Sequence, residues 1–144
     1  MKKHLFLLLV AMMSLQACAD KKQVITFAQL PQKAQTFVTT YFDQQPIAFV
    51  MQETDFITKD YDVQLQNGTK ISFHKDGTLD NVETKPNPMP EGIVPAIVMN
   101  YVKATFPQAF VVEYDVDTRK QTVELSNGLE LTFSLQGQFL EIDD

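Results

Sequence analysis

Two stretches of the chain, sixty residues apart, spell nearly the same hairpin: "LQNGTKISFHKDG" from Leu65 to Gly77 and "LSNGLELTFSLQG" from Leu125 to Gly137. A repeat at fixed period constrains the fold strongly, because each unit completes its core against its copy. At an offset of sixty, Val38 meets Val98, Tyr41 meets Tyr101, Glu53 meets Glu113 and Asp55 meets Asp115. Thr58, Val63, Leu65, Phe73 and Gly77 likewise find Thr118, Val123, Leu125, Phe133 and Gly137. The matches fall on turn residues and alternating apolar positions.

Each copy opens with a helical pattern. In "LPQKAQTFVTTYF" the residues Leu30, Ala34, Phe37, Val38, Tyr41 and Phe42 recur at three- and four-residue spacing, the signature of one apolar helix face. In "EGIVPAIVMNYVKATF" the matching stripe is Ile93, Ile97, Val98, Tyr101 and Val102, and the helix is expected to start near Ile93. Pro31 and Pro95 belong in the first turns, and Pro46 and Pro107 follow as stops. Ile47, Phe49 and Met51 then alternate as a strand, as do Phe110, Val112, Tyr114 and Val116, with the faces matching best at an offset of sixty-one.

The hairpins that follow are decided by register. A two-residue Asn-Gly turn would set Leu125 opposite Glu130 and Val123 opposite Thr132. A three-residue loop, Ser126-Asn127-Gly128 with a left-handed glycine, instead pairs Leu125 with Leu129, Val123 with Leu131 and Gln121 with Phe133. In the first copy it pairs Val63 with Ile71 and Tyr61 with Phe73. A slip of one residue exchanges the two faces, so the apolar pattern selects the three-residue loop. Fourth strands, "TLDNVE" and "QFLEID", are short and belong at edges or junctions.

The expected class is therefore α+β: two tandem helix-plus-four-strand antiparallel repeats, with both helices on one face of the sheet. Repeat 1 is expected over 24–83, repeat 2 over 91–144, and the proline-rich "TKPNPMP" of 84–90 is the linker. The two repeats form one compact domain, 24–144.

Residues 1–19 read as an export signal. Lys2, Lys3 and His4 precede the apolar run "LFLLLVAMM", which is too short for a spanning helix of about 20 residues. Two processing routes compete: cleavage after "ACA" at Ala17–Ala19, or a lipobox "LQAC" that would make Cys18 a lipid-bearing N-terminus. Cys18 is the one cysteine, so the exported domain contains no disulfide. With Lys2 and Lys3 removed, 10 basic residues face 18 acidic ones, a net charge of −8. No basic stripe is left to neutralise phosphates, which argues against nucleic acid and leaves the membrane as a partner only through a lipid anchor.

Catalytic and metal chemistry find little footing. His74 is the one histidine left after the signal, so no Cys–His or Ser–His–Asp set can be nominated. The carboxylate clusters Asp55, Asp60, Asp62 and Glu113, Asp115, Asp117 lack the spacing of a calcium loop and read as solvated turns. Phe42, Phe56 and Phe106 flank helix ends and turns and read as core-edge packing, with an apolar patch for a partner as the alternative. No metal site, cofactor or catalytic residue is expected.

The stretches "ITFAQLPQKAQTFVTTYF", "YDVQLQNGTKISFHKDG" and "VELSNGLELTFSLQGQFLEID" resemble the PepSY-like, β-lactamase-inhibitor-like proteins exported by Bacteroidetes, and the resemblance runs from about Val24 to Asp143. Leu30-Pro31 and the Asn-Gly…Phe…Gly pattern carry it. It implies a sheet exposed on one side, the face with which inhibitors of similar fold grip β-lactamases. The outward positions are then Asp62, Gln64, Gln66, Lys70, Ser72 and His74 in the first copy. In the second they are Thr122, Glu124, Ser126, Glu130, Thr132 and Ser134. His74 is the one ring among them, whereas interface hot spots favour Trp, Tyr and Arg. The expected function is a non-enzymatic protein-binding module of the periplasm or of a lipid-anchored outer-membrane protein, with hydrolase or peptidase inhibition as one role. The alternatives are an assembly subunit of an envelope complex, using a strand edge, and a small-ligand carrier.

Overall fold

The computed structural model describes residues 21–144; the expected export signal and Cys18 lie outside the described residues. Strand β1 is Lys21–Ile25 and helix α1 is Gln32–Phe42, followed by β2 (Ile47–Thr54), β3 (Lys59–Leu65), β4 (Lys70–Phe73) and β5 (Leu79–Glu83). Helix α2 is Ala96–Thr105, followed by β6 (Val111–Val116), β7 (Lys120–Leu125), β8 (Glu130–Ser134) and β9 (Phe139–Asp143). The strands form one nine-stranded antiparallel sheet in sequential order from β1 to β9.

Strand β1 was not expected. Its five residues are too few for a clear alternation, and only Ile25 is buried. Directly after it, Thr26 and Gln29 close a capping box, with the Thr26 amide donating to Gln29 Oε1 at 2.8 Å. Pro31 and Pro95 each sit immediately before the first helical residue. There a missing N–H costs nothing, and α2 accordingly starts at Ala96 rather than near Ile93.

The hairpin register is the one that the apolar phase requires. Val63 pairs with Ile71 and Tyr61 with Phe73; Val123 pairs with Leu131 and Gln121 with Phe133. The Leu125 amide reaches Leu129 O at 2.8 Å, and Gly68 and Gly128 hold φ of 94° and 88°. Across the sheet, Val63, Ile71, Val82, Tyr114, Val123 and Leu131 are successive register partners, so they line one face, the inner one. Phe37 of α1 meets Phe73 edge-on with centroids 5.6 Å apart, and Tyr101 of α2 meets Phe133 at 5.3 Å. Leu30, Ala34, Val38 and Phe42 are buried in the same cluster as Ile93, Val94, Val98 and Val102.

Several expected positions shift. Pro31 fills the place of Pro95, and Ala34 and Val38 fill those of Val98 and Val102. The helices thus correspond at an offset of 64, not 60. The same offset holds in the next strands: Val50 lies opposite Val63, and Tyr114 opposite Val123. The four residues are absorbed by the β2–β3 hairpin, where eight residues separate the pair Gln52–Tyr61 against four between Val116 and Gln121. A bulge between Ile47 and Phe49 inverts the expected phase of β2, and one between Val111 and Glu113 puts Val111 rather than Phe110 inward while Tyr114 and Val116 keep the expected face. Val50 and Tyr114 point inward, and Phe49 and Met51 outward. Ile97 is 54% exposed rather than on the buried stripe, and Phe56, expected at the core edge, is 87% exposed.

Candidate functional site

Two cross-strand files of side chains cover the outer face. The first runs Phe49, Gln64, Lys70, Glu83, Glu113, Glu124, Glu130 and Asp143, each the register partner of the next. The second runs Val24, Met51, Asp62, Ser72, Asn81, Asp115, Thr122, Thr132 and Glu141. They share a face because their members stand two residues apart on every strand. Of the expected outward residues, Asp62, Gln64, Lys70, Ser72, Thr122, Glu124, Glu130 and Thr132 are brought together here. Gln66 and Ser126 lie in the hairpin loops at one end, His74 in the β4–β5 turn and Ser134 at the end of β8, at the other.

Thr132 is corrected: it is only 5% exposed. Its short side chain lies between Thr122 and the longer Glu141, with Thr122 Oγ1 3.4 Å from its hydroxyl. It offers a partner nothing. Asp60 and Asp62 belong to β3, and Glu113 and Asp115 to β6, so the carboxylate clusters are only partly turns. Asp55 and Asp117 do cap turns, and their carboxyls are held below the usual range by backbone N–H donors.

Five acids in a row on neighbouring strands repel one another. Lysines relieve the strain. Lys70 Nζ stands 3.8 Å from Glu83, and Lys85 Nζ lies 2.7 Å from Glu124 and 3.6 Å from Glu113. Burial raises the Glu113 carboxyl, although Asn81 Nδ2 donates to it at 2.9 Å. The Lys85 hydrogen bond lowers Glu124 and raises Lys85 itself. A depression of about 220 Å³ opens here, lined by Glu113, Asp115, Lys120, Thr122, Glu124 and Glu130. At His74, Nε2 is 3.5 Å from Asp80 Oδ1, and burial raises that carboxyl.

Sequence reasoning missed two parts of this face. Lys85 belongs to the expected linker, yet its ammonium reaches across to β7. That segment is pinned at Thr84 N to Val112 O and Met89 N to Val111 O, both 2.8 Å. The other part is an apolar corner formed by Val24, Phe49 and Met51, with Val24 68% and Phe49 43% exposed. Phe49 gives the face an aromatic ring that the unbulged phase of β2 had pointed inward. Among the described residues, no three His, Cys, Asp or Glu side chains are grouped to share one metal ion.

A family model described as "Putative beta-lactamase-inhibitor-like, PepSY-like" matches residues 59–141. The chain is similar to a "putative calcium-regulated periplasmic protein" of Bacteroides thetaiotaomicron, at 35% identity and a TM-score of 0.84, covering 85% of this chain and 97% of that one. It is also similar to a periplasmic protein of the DUF2874 family from Bacteroides vulgatus, at 37% identity and a TM-score of 0.83, covering 88% and 99%. A periplasmic protein of unknown function from the same organism shares 27% identity at a TM-score of 0.80, covering 88% and 100%. No functionally curated protein matches. With its hairpins, its open sheet and relatives that it covers almost end to end, the chain belongs to the PepSY-like, β-lactamase-inhibitor-like family of exported bacterial proteins.

Proposed function

We propose that the protein is a non-enzymatic binding module of the periplasm that engages another protein through the outer face of its sheet. In this reading the chain is a doubled unit of one helix and four strands. Both helices close the inner face, and residues 1–17 are an export leader whose removal leaves Cys18 as the lipid-bearing N-terminus. The observation that carries the reading is the outer face itself. An apolar corner of Val24, Phe49 and Met51 adjoins a field of carboxylates running from Glu83 to Asp143. An exposed aromatic beside ordered charge is the anatomy of an interface core and its rim, and the acidic field suits a basic partner surface. The family's inhibitor-like description supports a hydrolase or peptidase as the partner's class.

The test is affinity capture from envelope extract with the native protein, a Phe49→Ala variant, and a variant with Gln64, Lys70, Glu124 and Glu130 changed in charge. Retention of one protein by the native form, lost with both variants, is the expected result. Equal capture by all three would remove the outer face as the binding surface. A second reading, an assembly subunit joined by strand addition, draws on β9. This edge strand is exposed throughout and carries Phe139, Leu140 and Ile142, so a partner retained by all three forms but lost on a Leu140→Pro change would favour it.

A further inference from the structure

The β2–β3 hairpin is four residues longer than its counterpart in the second half, the β6–β7 hairpin. Its turn is locally rigid: Asp55 Oδ1 accepts the Ile57 and Thr58 amides at 2.8 and 2.6 Å, and Thr58 Oγ1 donates to Asp55 Oδ2 at 3.0 Å. So held, the turn presents Phe56 and Ile57 to solvent, 87% and 90% exposed. The matching turn is tied the same way, with Asp117 Oδ1 accepting the Arg119 and Lys120 amides at 2.7 and 2.9 Å, yet it displays Thr118 and Arg119. Two adjacent large apolar side chains on a fixed tip, without core contacts, cost solubility unless something covers them.

The chain's entry to the fold identifies the cover. Lys21 is the register partner of Thr54, the last residue before the turn. Lys21, the first described residue, therefore stands at the end of the sheet that carries Phe56 and Ile57. Cys18 precedes Lys21 by three residues, at most about 10 Å of extended chain. A lipid on Cys18 would hold this tip at the bilayer surface. No net positive charge draws the tip to anionic lipid: among the described residues around it, Lys21, Lys22 and Lys59 are balanced by Glu53, Asp55 and Asp60.

The geometry points to the Phe56–Ile57 tip as a membrane-inserting contact, sunk into the headgroup region beside the anchored N-terminus. This rests on the anchored-leader reading above. A lipid on the N-terminus tethers the domain, and a second membrane contact adds buried apolar area to that attachment. It also fixes the domain's orientation, with the loops at 66–68 and 126–128 pointing away from the bilayer and the outer face standing open at its side.

The chain contains no tryptophan, so Phe56→Trp places a single indole at the tip and Asn127→Trp one at the far end. Each full-length protein, processed by a Gram-negative host, is reconstituted into vesicles of neutral phosphatidylcholine and of anionic phosphatidylglycerol. Flotation reads the anchor, and indole emission with brominated-lipid quenching reads the tip. The expected result is flotation of both proteins, with a blue shift and quenching for Phe56→Trp alone, equal in the two lipids. Flotation with unshifted emission at position 56 would overturn the tip contact while leaving the anchor standing. Failure to float would remove the anchor and the tip contact with it. A blue shift already present without vesicles would show that protein rather than lipid covers the tip, and would also overturn the inference. Quenching in phosphatidylglycerol alone would overturn the charge-neutral insertion drawn here.

Discussion

The two halves of the sheet are most alike on their inner face and differ most on the outer one. Inside, Phe73 and Phe133 occupy equivalent places, each fully buried and each met edge-on by a ring from its own helix, Phe37 or Tyr101. Outside, the first half offers Phe49, Met51 and a hairpin tip of Phe56 and Ile57. The second offers Glu113, Glu124, Glu130 and a polar turn. Packing tolerates little change, so the core holds the two halves alike, whereas solvent-facing positions are free to take up separate tasks.

The largest test of this comparison strikes the shared core. Phe73→Ala and Phe133→Ala should each cost about 3–5 kcal/mol in urea denaturation. Both should still unfold in one transition, because the buried residues of the two halves form a single cluster. Two separated transitions would break the comparison at its root.

The next tests the turns that face the helices. A Cβ on Gly77, at φ 86°, would lie 2.8 Å from Pro31 Cβ and 3.2 Å from the backbone N of Ala34. At Gly137, φ 89°, it would meet only the side chain of Ile97, which is half exposed and free to turn. The left-handed backbone costs both alanine variants about 1–2 kcal/mol. Gly77→Ala should lose more beyond that, seen as the lower melting temperature of the pair. Equal losses would mean that Ile97 is as fixed as backbone.

A third sharpens an inner-face difference, Val50 against Tyr114. Tyr114 donates to Gln121 Oε1 at 2.8 Å, and burial pushes its phenol up to about 12. The folded state keeps this proton to about pH 12, whereas an unfolded tyrosine releases it near 10. Stability therefore falls as pH rises between those values. Tyr114→Phe should cost about 1 kcal/mol at pH 8, by leaving Gln121 Oε1 unpaired, and the deficit should shrink above pH 10. Denaturant titrations across that range read the effect.

The smallest effect belongs to Lys85. Lys85→Met should change stability by less than about 1 kcal/mol, as surface ion pairs do. It should still raise the Glu124 pKa, measurable by carboxyl NMR, because the hydrogen bond that lowers it is gone.

The sequence made the inner face legible and the outer face only in part. Val63, Ile71, Val123 and Leu131 announced their register, since one slip would have exposed them all. Pro31 and Pro95 placed the helix starts to within a residue or three. The repeat offset misled where local likeness outweighed topology: Val98 resembles Val38 but fills the place of Ala34. The bulges at Ala48 and Val112 left no composition signal, and the one at Ala48 moved Phe49 from the expected core to the outer face. Lys85 was hidden because a proline-rich stretch gives no sign of where its side chains reach. The acidic file was invisible until register set Glu83, Glu113, Glu124 and Glu130 side by side.

The central claim is that the outer face is the working surface, and carboxyl footprinting in periplasmic extract tests it most directly. Carbodiimide labelling of the protein, alone and with its captured partner, would be compared at Glu83, Glu124, Glu130 and Asp62, and at Glu91 and Asp43 outside the two outer-face files. The account predicts that partner binding suppresses labelling at the first four and leaves Glu91 and Asp43 unchanged. Suppression at Glu91 or Asp43, with the outer carboxylates still fully labelled, would contradict it.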